Sequence, residues 1–181
     1  MFYIYGGGFY NGSNIDHPPQ HLLEKDIVLV VPNYRIGALG WLSTLDVDMP
    51  GNAPVADLIL ALKWVQDYIH LFGGDPKQVT IFGQSAGAAM SGVLLLSPTM
   101  SNEFFQKSII QSGSIFAPWA VNRKPIEQVQ RICLALGCFK CESKQELYKC
   151  LKEVKVPTLL EITSTVICIL KYIICKNNEC V

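Results

Sequence analysis

The sequence carries little charge and no excess of either sign. Only 17% of its 181 residues are charged, and 15 lysines and arginines balance 15 aspartates and glutamates. Nucleic acids and anionic membrane surfaces attract proteins through an excess of positive charge, which this chain lacks. Half of the residues are apolar, which indicates a globular rather than a disordered chain. The composition therefore favours a domain with its own core and sets nucleic acids and anionic membranes aside as partners.

Long apolar runs and a leader segment are also missing. The most apolar stretch near the C-terminus, residues 163–175, is too short for a bilayer and contains Lys171, so we expect no transmembrane segment. The first residues show neither a basic region nor a cleavage site, and they are typical of a strand at residues 2–5. Because the chain begins inside a predicted strand, we expect it to be an internal slice of a longer protein.

One motif stands out against this background, the G-Q-S-A-G sequence at residues 83–87. It follows the apolar run 79–82 and precedes a segment of small residues, 86–96. A G-x-S-x-G sequence between a strand and a helix is typical of the nucleophile elbow of an α/β-hydrolase. The turn is strained, so the neighbours of the serine must be small. The first N–H groups of the following helix then point toward a developing oxyanion.

A triple-glycine loop, Gly6-Gly7-Gly8, follows the first predicted strand. An α/β-hydrolase takes one oxyanion N–H from the residue after the nucleophile and another from a loop behind an earlier strand. Glycine lets that backbone approach a tetrahedral intermediate at hydrogen-bonding distance. The two motifs together predict an acyl-transfer site at Ser85.

Predicted strands alternate with predicted helices along the chain. Apolar and β-branched runs predict strands at residues 2–5, 27–31, 79–82 and 108–111, and helical spacing predicts helices at 55–71, 86–96, from 125 onward, and 144–151. This alternation predicts an α/β class: part of an α/β-hydrolase fold, with a mainly parallel sheet and helices on both faces. We assign residues 1–160 to this domain and interpret residues 161–181 as a divergent tail.

The sequence lacks an evident general base for Ser85. In an α/β-hydrolase an acid and then a histidine follow the nucleophile, but neither an aspartate nor a histidine occurs after Ser85. His17, His21 and His70 lie upstream, and we interpret them as solvated or structural. A serine without a base stays protonated and weakly nucleophilic. We therefore predict that this chain, as written, has no useful esterase activity.

Cysteine, in contrast, is abundant. The chain has seven cysteines, and the odd count leaves at least one unpaired. Cys138 and Cys141 have the spacing of a zinc knuckle, but neither a second C-x-x-C nor a nearby histidine completes a metal site. A disulfide framework in an oxidising compartment is the preferred interpretation. We expect neither a metal nor a cofactor.

Five segments, in order, resemble the type-B carboxylesterase/cholinesterase family. They are YGGGFY at 5–10, NYRIGALG at 33–40, LKWVQ at 62–66, FGGDP at 72–76 and VTIFGQSAG at 79–87. The resemblance covers about residues 1–160. It implies hydrolysis of a small-molecule carboxylic ester through an acyl-serine, in a secreted or extracellular parent protein. It also implies an acid and a histidine beyond residue 181.

The resemblance assigns roles to residues at matching positions. Ser85 is expected to be the nucleophile, and Gly7, Gly8 and Ala86 are expected to donate the oxyanion-hole N–H groups. Trp119 is expected to line the acyl pocket, with Ser112 and Gln84 behind the nucleophile. Two structural pairs are also implied: an ion pair of Arg35 with Asp57, and a disulfide of Cys138 with Cys150. The second pair leaves Cys133 and Cys141 as extra cysteines.

Two departures from the family pattern suggest an alternative. Gln84 stands where catalytic members usually carry glutamate, and GNAPVADL at residues 51–58 replaces the usual G-N-x-G-L-x-D-Q. The second variant is closer to the insect glutactin-like branch, which includes adhesion and matrix proteins. The alternative expectation is therefore a non-catalytic, glutactin- or neuroligin-like protein with a protein partner.

Overall fold

The computed structural model describes residues 1–98, 100, 104–139 and 141–174, with side chains up to residue 165. The strands and helices, in chain order, are β1 (Phe2–Ile4), α1 (Gly37–Trp41), α2 (Ala53–Tyr68), β2 (Thr80–Gln84), α3 (Ala86–Leu96), β3 (Lys107–Gln111), α4 (Pro125–Ala135), α5 (Lys144–Glu153) and α6 (Val156–Ile174). The chain divides into two compact units. The first comprises Met1–Ile36 and Ala53–Val121, and the second comprises Gly37–Asn52 and Asn122–Val181.

The first unit contains a parallel sheet with the strand order β1-β2-β3. In the register of this sheet, Ile4 lies opposite Gly83 and Gln84 lies opposite Gln111. Helix α3 connects β2 to β3 and packs against all three strands. The α/β class and the parallel sheet predicted from the sequence are therefore confirmed.

Residue size explains how close this packing is. Phe2 and Ile4 of β1 and Ile81 of β2 are fully buried, as apolar side chains of a central sheet should be. Five of the eight buried residues of α3 are alanines or glycines, which let the helix backbone approach the strands. In α2, Leu58, Leu62 and Val65 are buried at helical spacing, so one face of that helix enters the core.

The predicted strand at residues 27–31 is wrong in extent. Only Val30 forms a bridge, to Phe2, and the side chains of residues 27–31 are half-buried rather than enclosed on both faces. The Val30 N–H donates to Met1 O at 2.9 Å, and the Val30 carbonyl accepts from Tyr3 N at 2.8 Å. The reason is the partner strand: β1 has three residues, so it offers hydrogen bonds over a short length.

The second unit is helical. Its buried core, in the described residues, comprises Ala38 of α1 and Leu42 directly after it, Val129, Ile132 and Cys133 of α4, Leu147, Cys150 and Leu151 of α5, and Leu159 of α6. Helix α5 begins at a capping box, in which Ser143 Oγ accepts from Glu146 N and the Glu146 carboxylate accepts from Ser143 N. These contacts explain why the amphipathic sequences after residue 125 form helices.

Residues 161–174 fit no element in the sequence analysis, whereas the structure places them in α6. Leu159 and Thr163 are buried one turn apart, which anchors the start of this helix. This segment is rich in isoleucine, so its apolar residues show no clear helical period in the sequence. Residues 175–181 lie outside the described residues, and the predicted boundary at residue 160 stays a prediction. Within the described part of the chain, no helix combines the length and apolar character needed to cross a membrane.

Candidate active site

Ser85 lies on a one-residue turn between β2 and α3. Its backbone has φ 58° and ψ −121°, a conformation that is costly for any residue with a side chain. Two hydrogen bonds hold the turn: Ser85 N donates to Gln111 O at 2.9 Å, and Ser85 O accepts from Ala89 N at 3.1 Å. The side chain is half-buried. The geometry is that of the strand–turn–helix context that the G-x-S-x-G motif predicts.

The glycines of the motif are required by close backbone contacts. A Cβ atom added at Gly87 would lie 2.7 Å from Tyr5 O, and one added at Gly83 would lie 2.9 Å from Ala88 N. Both distances are shorter than real Cβ contacts. The start of α3 therefore lies so close to the end of β1 at Gly87, and to the end of β2 at Gly83, that no side chain fits at either position.

The glycine loop runs directly beside the serine. A Cβ atom added at Gly6 would lie 3.1 Å from Ser85 Cβ and 2.7 Å from Gln84 O. Gly7 and Gly8 follow with φ values of 118° and 62°, which favour glycine. The Gly7 carbonyl accepts from Tyr10 N and Asn11 N at 3.2 Å and 3.1 Å. The structure therefore brings together the two motifs that the sequence analysis paired at a distance of about eighty residues.

A third segment at the end of β3 completes the surroundings of the turn. Gln111 supplies the carbonyl that accepts from Ser85 N, and Ser112 follows with a φ of 53°. A Cβ atom added at Gly113 would lie 3.1 Å from Ser85 C. Ser112 therefore lies near the nucleophile, although its role behind Ser85 stays a prediction. The sequence analysis placed Gly6 in the glycine loop but gave it no role of its own, and it did not single out Gly113, whose glycine identity was the available signal.

Gln84 and Trp119 are near the loop in different ways. A Cβ atom at Gly6 would lie 3.0 Å from Gln84 Oε1, so the Gln84 amide rests against the glycine loop. The Trp119 ring lies 6.0 Å from the Phe9 ring, and Phe9 directly follows the triple glycine. Trp119 is about half exposed. This position is compatible with a wall of an acyl site, which stays a prediction.

No histidine among the described residues hydrogen-bonds Ser85. The His17 ring packs edge-on against Tyr3 with 5.0 Å between centroids and stacks on Tyr5 at 6.0 Å. His21 Nδ1 lies 3.6 Å from Glu24 Oε1 on the exposed surface. His70 lies in the short 3₁₀ helix Ile69–Phe72, next to α2. The His17 and His21 imidazoles thus have other partners, and none of the three histidines hydrogen-bonds the Ser85 hydroxyl in the described part of the chain.

Tyr34 stabilises the backbone next to the Ser85 turn, a role that the sequence analysis did not assign. The Tyr34 hydroxyl donates to Tyr5 O, and the two rings stack with 4.4 Å between centroids. Tyr5 O is one of the backbone atoms, with Ile4 O, that a side chain at Gly87 would strike. Burial raises the pKa of Tyr34, which keeps its hydroxyl a proton donor at neutral pH.

The two predicted structural pairs are present. Arg35 Nη2 lies 2.6 Å from Asp57 Oδ1, and Arg35 Nε donates to Asp57 Oδ2 at 2.8 Å. The hydrogen bond from Arg35 holds the pKa of Asp57 below its usual range. The pair ties the segment after residue 31 to α2. In the second unit, Cys138 is bonded to Cys150, so the predicted disulfide is confirmed.

Comparison with known proteins gives a consistent result. The chain is 45% identical over 169 residues to cholinesterase 1 of Branchiostoma lanceolatum, a match that spans 89% of this chain and 46% of that protein. It is 44% identical over 153 residues to esterase FE4 of Myzus persicae, spanning 84% of this chain and 27% of that protein. The chain thus spans less than half the length of these relatives.

A solved structure agrees with the sequence relatives. Juvenile hormone esterase from Manduca sexta, with OTFP covalently attached, matches with a TM-score of 0.77 and 34% identity over 89% of this chain and 31% of that one. The profile of the carboxylesterase family matches residues 1–176, a range that includes most of the segment after residue 160. With the serine turn and the glycine loop in contact, the chain belongs to the carboxylesterase family.

Proposed function

We propose that this chain supplies the nucleophile and the oxyanion hole of a carboxylic-ester hydrolase. Ser85 Oγ attacks the ester carbonyl, the leaving alcohol departs, and water releases the acid from the acyl-serine. The single observation that carries the proposal is the contact of the glycine loop with the Ser85 turn, where a Cβ at Gly6 would lie 3.1 Å from Ser85 Cβ. The names of the relatives, cholinesterase and esterase, support the same class of substrate.

The oxyanion donors in this proposal are the N–H groups of Gly7, Gly8 and Ala86. Ala86 is the first residue of α3, and the first N–H groups of a helix have no intrahelical acceptor. The partial positive charge at the helix start adds to their effect on a developing negative charge. Removal of one such donor in a serine hydrolase costs about 10²–10³ in kcat.

The described residues place no general base beside Ser85. Since no imidazole of the described chain reaches Ser85, its hydroxyl keeps its proton at neutral pH. Loss of the histidine of a serine triad costs on the order of 10⁶ in turnover. We propose that the 181-residue chain alone is inactive, and that in the whole protein the acid and histidine come from sequence beyond residue 181. We also propose a secreted whole protein, which the disulfide Cys138–Cys150 supports.

A fluorophosphonate probe tests the proposal, because it reacts with an activated serine. We expect the longest gene product containing residues 1–181 to be labelled at Ser85, and Ser85→Ala to remove the label. Ser164→Ala is the matched control, because Ser164 is exposed and its Oγ donates to Glu161 O in its own helix turn. The 181-residue chain should hydrolyse p-nitrophenyl acetate no faster than its Ser85→Ala variant.

The labelling and turnover results distinguish a hydrolase from the non-catalytic alternative. Labelling of the longer product at Ser85 supports the hydrolase. A folded longer product that carries no label contradicts it and favours the glutactin-like alternative, a binding protein. Turnover by the 181-residue chain that is lost in Ser85→Ala contradicts the proposed need for residues beyond 181.

A further inference from the structure

Four cysteines of the second unit converge at one place. The disulfide Cys138–Cys150 joins the segment after α4 to helix α5, and Cys133 and Cys141 are free thiols. The Sγ atoms of Cys133, Cys141 and Cys150 all lie within 4.8 Å of one another. Because the Cys150 sulfur is already bonded to Cys138, the cluster is a disulfide with two thiols beside it.

The two thiols differ in reactivity. Cys133 is fully buried, and its Sγ lies 3.9 Å from Leu147 O in the core. Burial raises the pKa of Cys133 to about 12, so this thiol is protonated at neutral pH. Cys141 is half-buried, and its Sγ lies 3.7 Å from Glu146 O at the start of α5. Since the thiolate is the nucleophile in exchange, Cys141 is the reactive one.

We propose that Cys141 is a thiol–disulfide exchange site that attacks the Cys138–Cys150 disulfide. In this step the Cys141 thiolate forms a bond to Cys150 Sγ, the Cys138–Cys150 bond breaks, and Cys138 leaves as a thiolate. The proton released by Cys141 is taken up by Cys138. No external oxidant or reductant is consumed, because one disulfide and one thiol are present before and after.

Local hydrogen bonds keep the partners in place during the exchange. Cys138 N donates to Cys133 O at 2.9 Å and Gly137 N donates to Leu134 O at 3.0 Å, which is the Schellman end of α4. This cap holds Cys138 beside the cluster without help from the disulfide. On the other side, Glu142 N donates to Glu146 Oε2 at 3.0 Å, so the capping box of α5 holds the residue next to Cys141. The exchange is therefore reversible, with either cysteine able to pair with Cys150.

Alkylation mapping tests the exchange. The full 181-residue chain, carrying serine at Cys168, Cys175 and Cys180, is oxidised, incubated at pH 8 with iodoacetamide, acid-quenched and digested without reductant. We expect alkyl label at both Cys138 and Cys141 and little at Cys133. Cys141→Ser should lose the label at Cys138, because nothing then displaces it. Cys133→Ser is the matched control, and it should keep both labels.

A second variant keeps the test decisive if Cys141→Ser misfolds. Cys138→Ser is expected to contain a Cys141–Cys150 disulfide, seen as a linked peptide pair. Free alkylated Cys141 and Cys150 in that variant would overturn the proposal. So would a Cys133–Cys141 linkage in the oxidised chain, or label at Cys138 that persists in Cys141→Ser. In 6 M guanidinium, iodoacetamide should alkylate Cys133 as readily as Cys141. A preference for Cys141 that is unchanged in guanidinium would show that the folded structure does not cause it, and would overturn the proposal.

Discussion

Ser85 is one of the residues in this chain that holds a left-handed backbone without being glycine, and its neighbours make that possible. The φ of 58° puts the side chain above the junction of β2 and α3 instead of against the sheet. Such strain costs of order 1–3 kcal/mol and persists only where the surroundings determine it. Here the surroundings are the Gln111 carbonyl on one side and the tightly packed Gly87 on the other.

A pair of glycine variants in α3 tests this packing. Gly87→Ala should lower the free energy of unfolding by about 1–3 kcal/mol, because its Cβ would lie 2.7 Å from Tyr5 O. Gly92→Ala is the matched control, because its Cβ would lie 3.5 Å from Ile115 Cβ, an ordinary contact. Alanine at this second helical site should be neutral or stabilise by about 0.4–1 kcal/mol. Urea midpoints of the two variants measure the contrast, and equal midpoints would contradict the proposed fit.

At the scale of elements, helix α5 depends on its N-terminal cap. Ser143→Ala should lower the free energy of unfolding of the second unit by about 0.5–2 kcal/mol, the usual cost of a lost cap. The far-UV circular dichroism signal and the urea midpoint measure the loss. Gln145→Ala is the control. Gln145 is the second residue of the same helix and lies outside the capping box, so this variant should change neither signal appreciably. A Ser143→Ala variant that matches the wild type would contradict the role of the cap.

The same cap predicts a pH dependence. Hydrogen bonds from Ser143 N, Ser143 Oγ and Glu142 N hold the pKa of Glu146 below its usual range. A depressed carboxyl pKa means that its contribution is present above the usual glutamate range and is lost as pH falls through the folded-state pKa. At pH 7, Glu146→Ala should therefore have a lower urea midpoint than the wild type. At pH 3 this difference in midpoint should be smaller. A difference that grows toward low pH would reverse the sign and contradict the assignment.

At the scale of the whole molecule, β3 forms an open edge of the described sheet. Ile109 and Ile110 are 44% and 42% exposed, although β2 pairs with β3 along its length. An apolar strand edge with free hydrogen-bonding groups is a template for association. The relatives compared above are longer than this chain by a factor of about two or more.

This edge predicts that the 181-residue chain self-associates. Ile110→Lys should raise the dissociation constant about tenfold or more, because a charge on an edge strand opposes pairing. Leu160→Lys is the matched control, since Leu160 is also 42% exposed but lies on α6. Light scattering across a concentration series measures both variants. A monomeric wild-type chain, or an equal effect of the two lysines, would contradict the role of β3.

Local sequence alone determined several elements of the first unit. The serine turn, α3 and the parallel strands follow from short-range rules: glycine at positions without room, alternation of elements, and apolar runs of strand length. For this reason the bounds of α3 were predicted to the residue, and those of β3 to within one. The strand at 27–31 was predicted too long and α6 was not predicted, because pairing length and helical continuation depend on partners that periodicity does not identify.

Only the tertiary structure decided which distant residues meet. Gly6 and Ser85 are 79 positions apart, and their contact depends on the parallel register of β1 with β2, which the sequence does not specify. The cluster of three sulfurs likewise needs α4 and α5 to pack with Cys133 and Cys150 on facing sides. Spacing along the chain limits which side chains can be neighbours. The packing of apolar faces then selects among these possibilities, because the burial of apolar surface stabilises one arrangement of whole helices and strands.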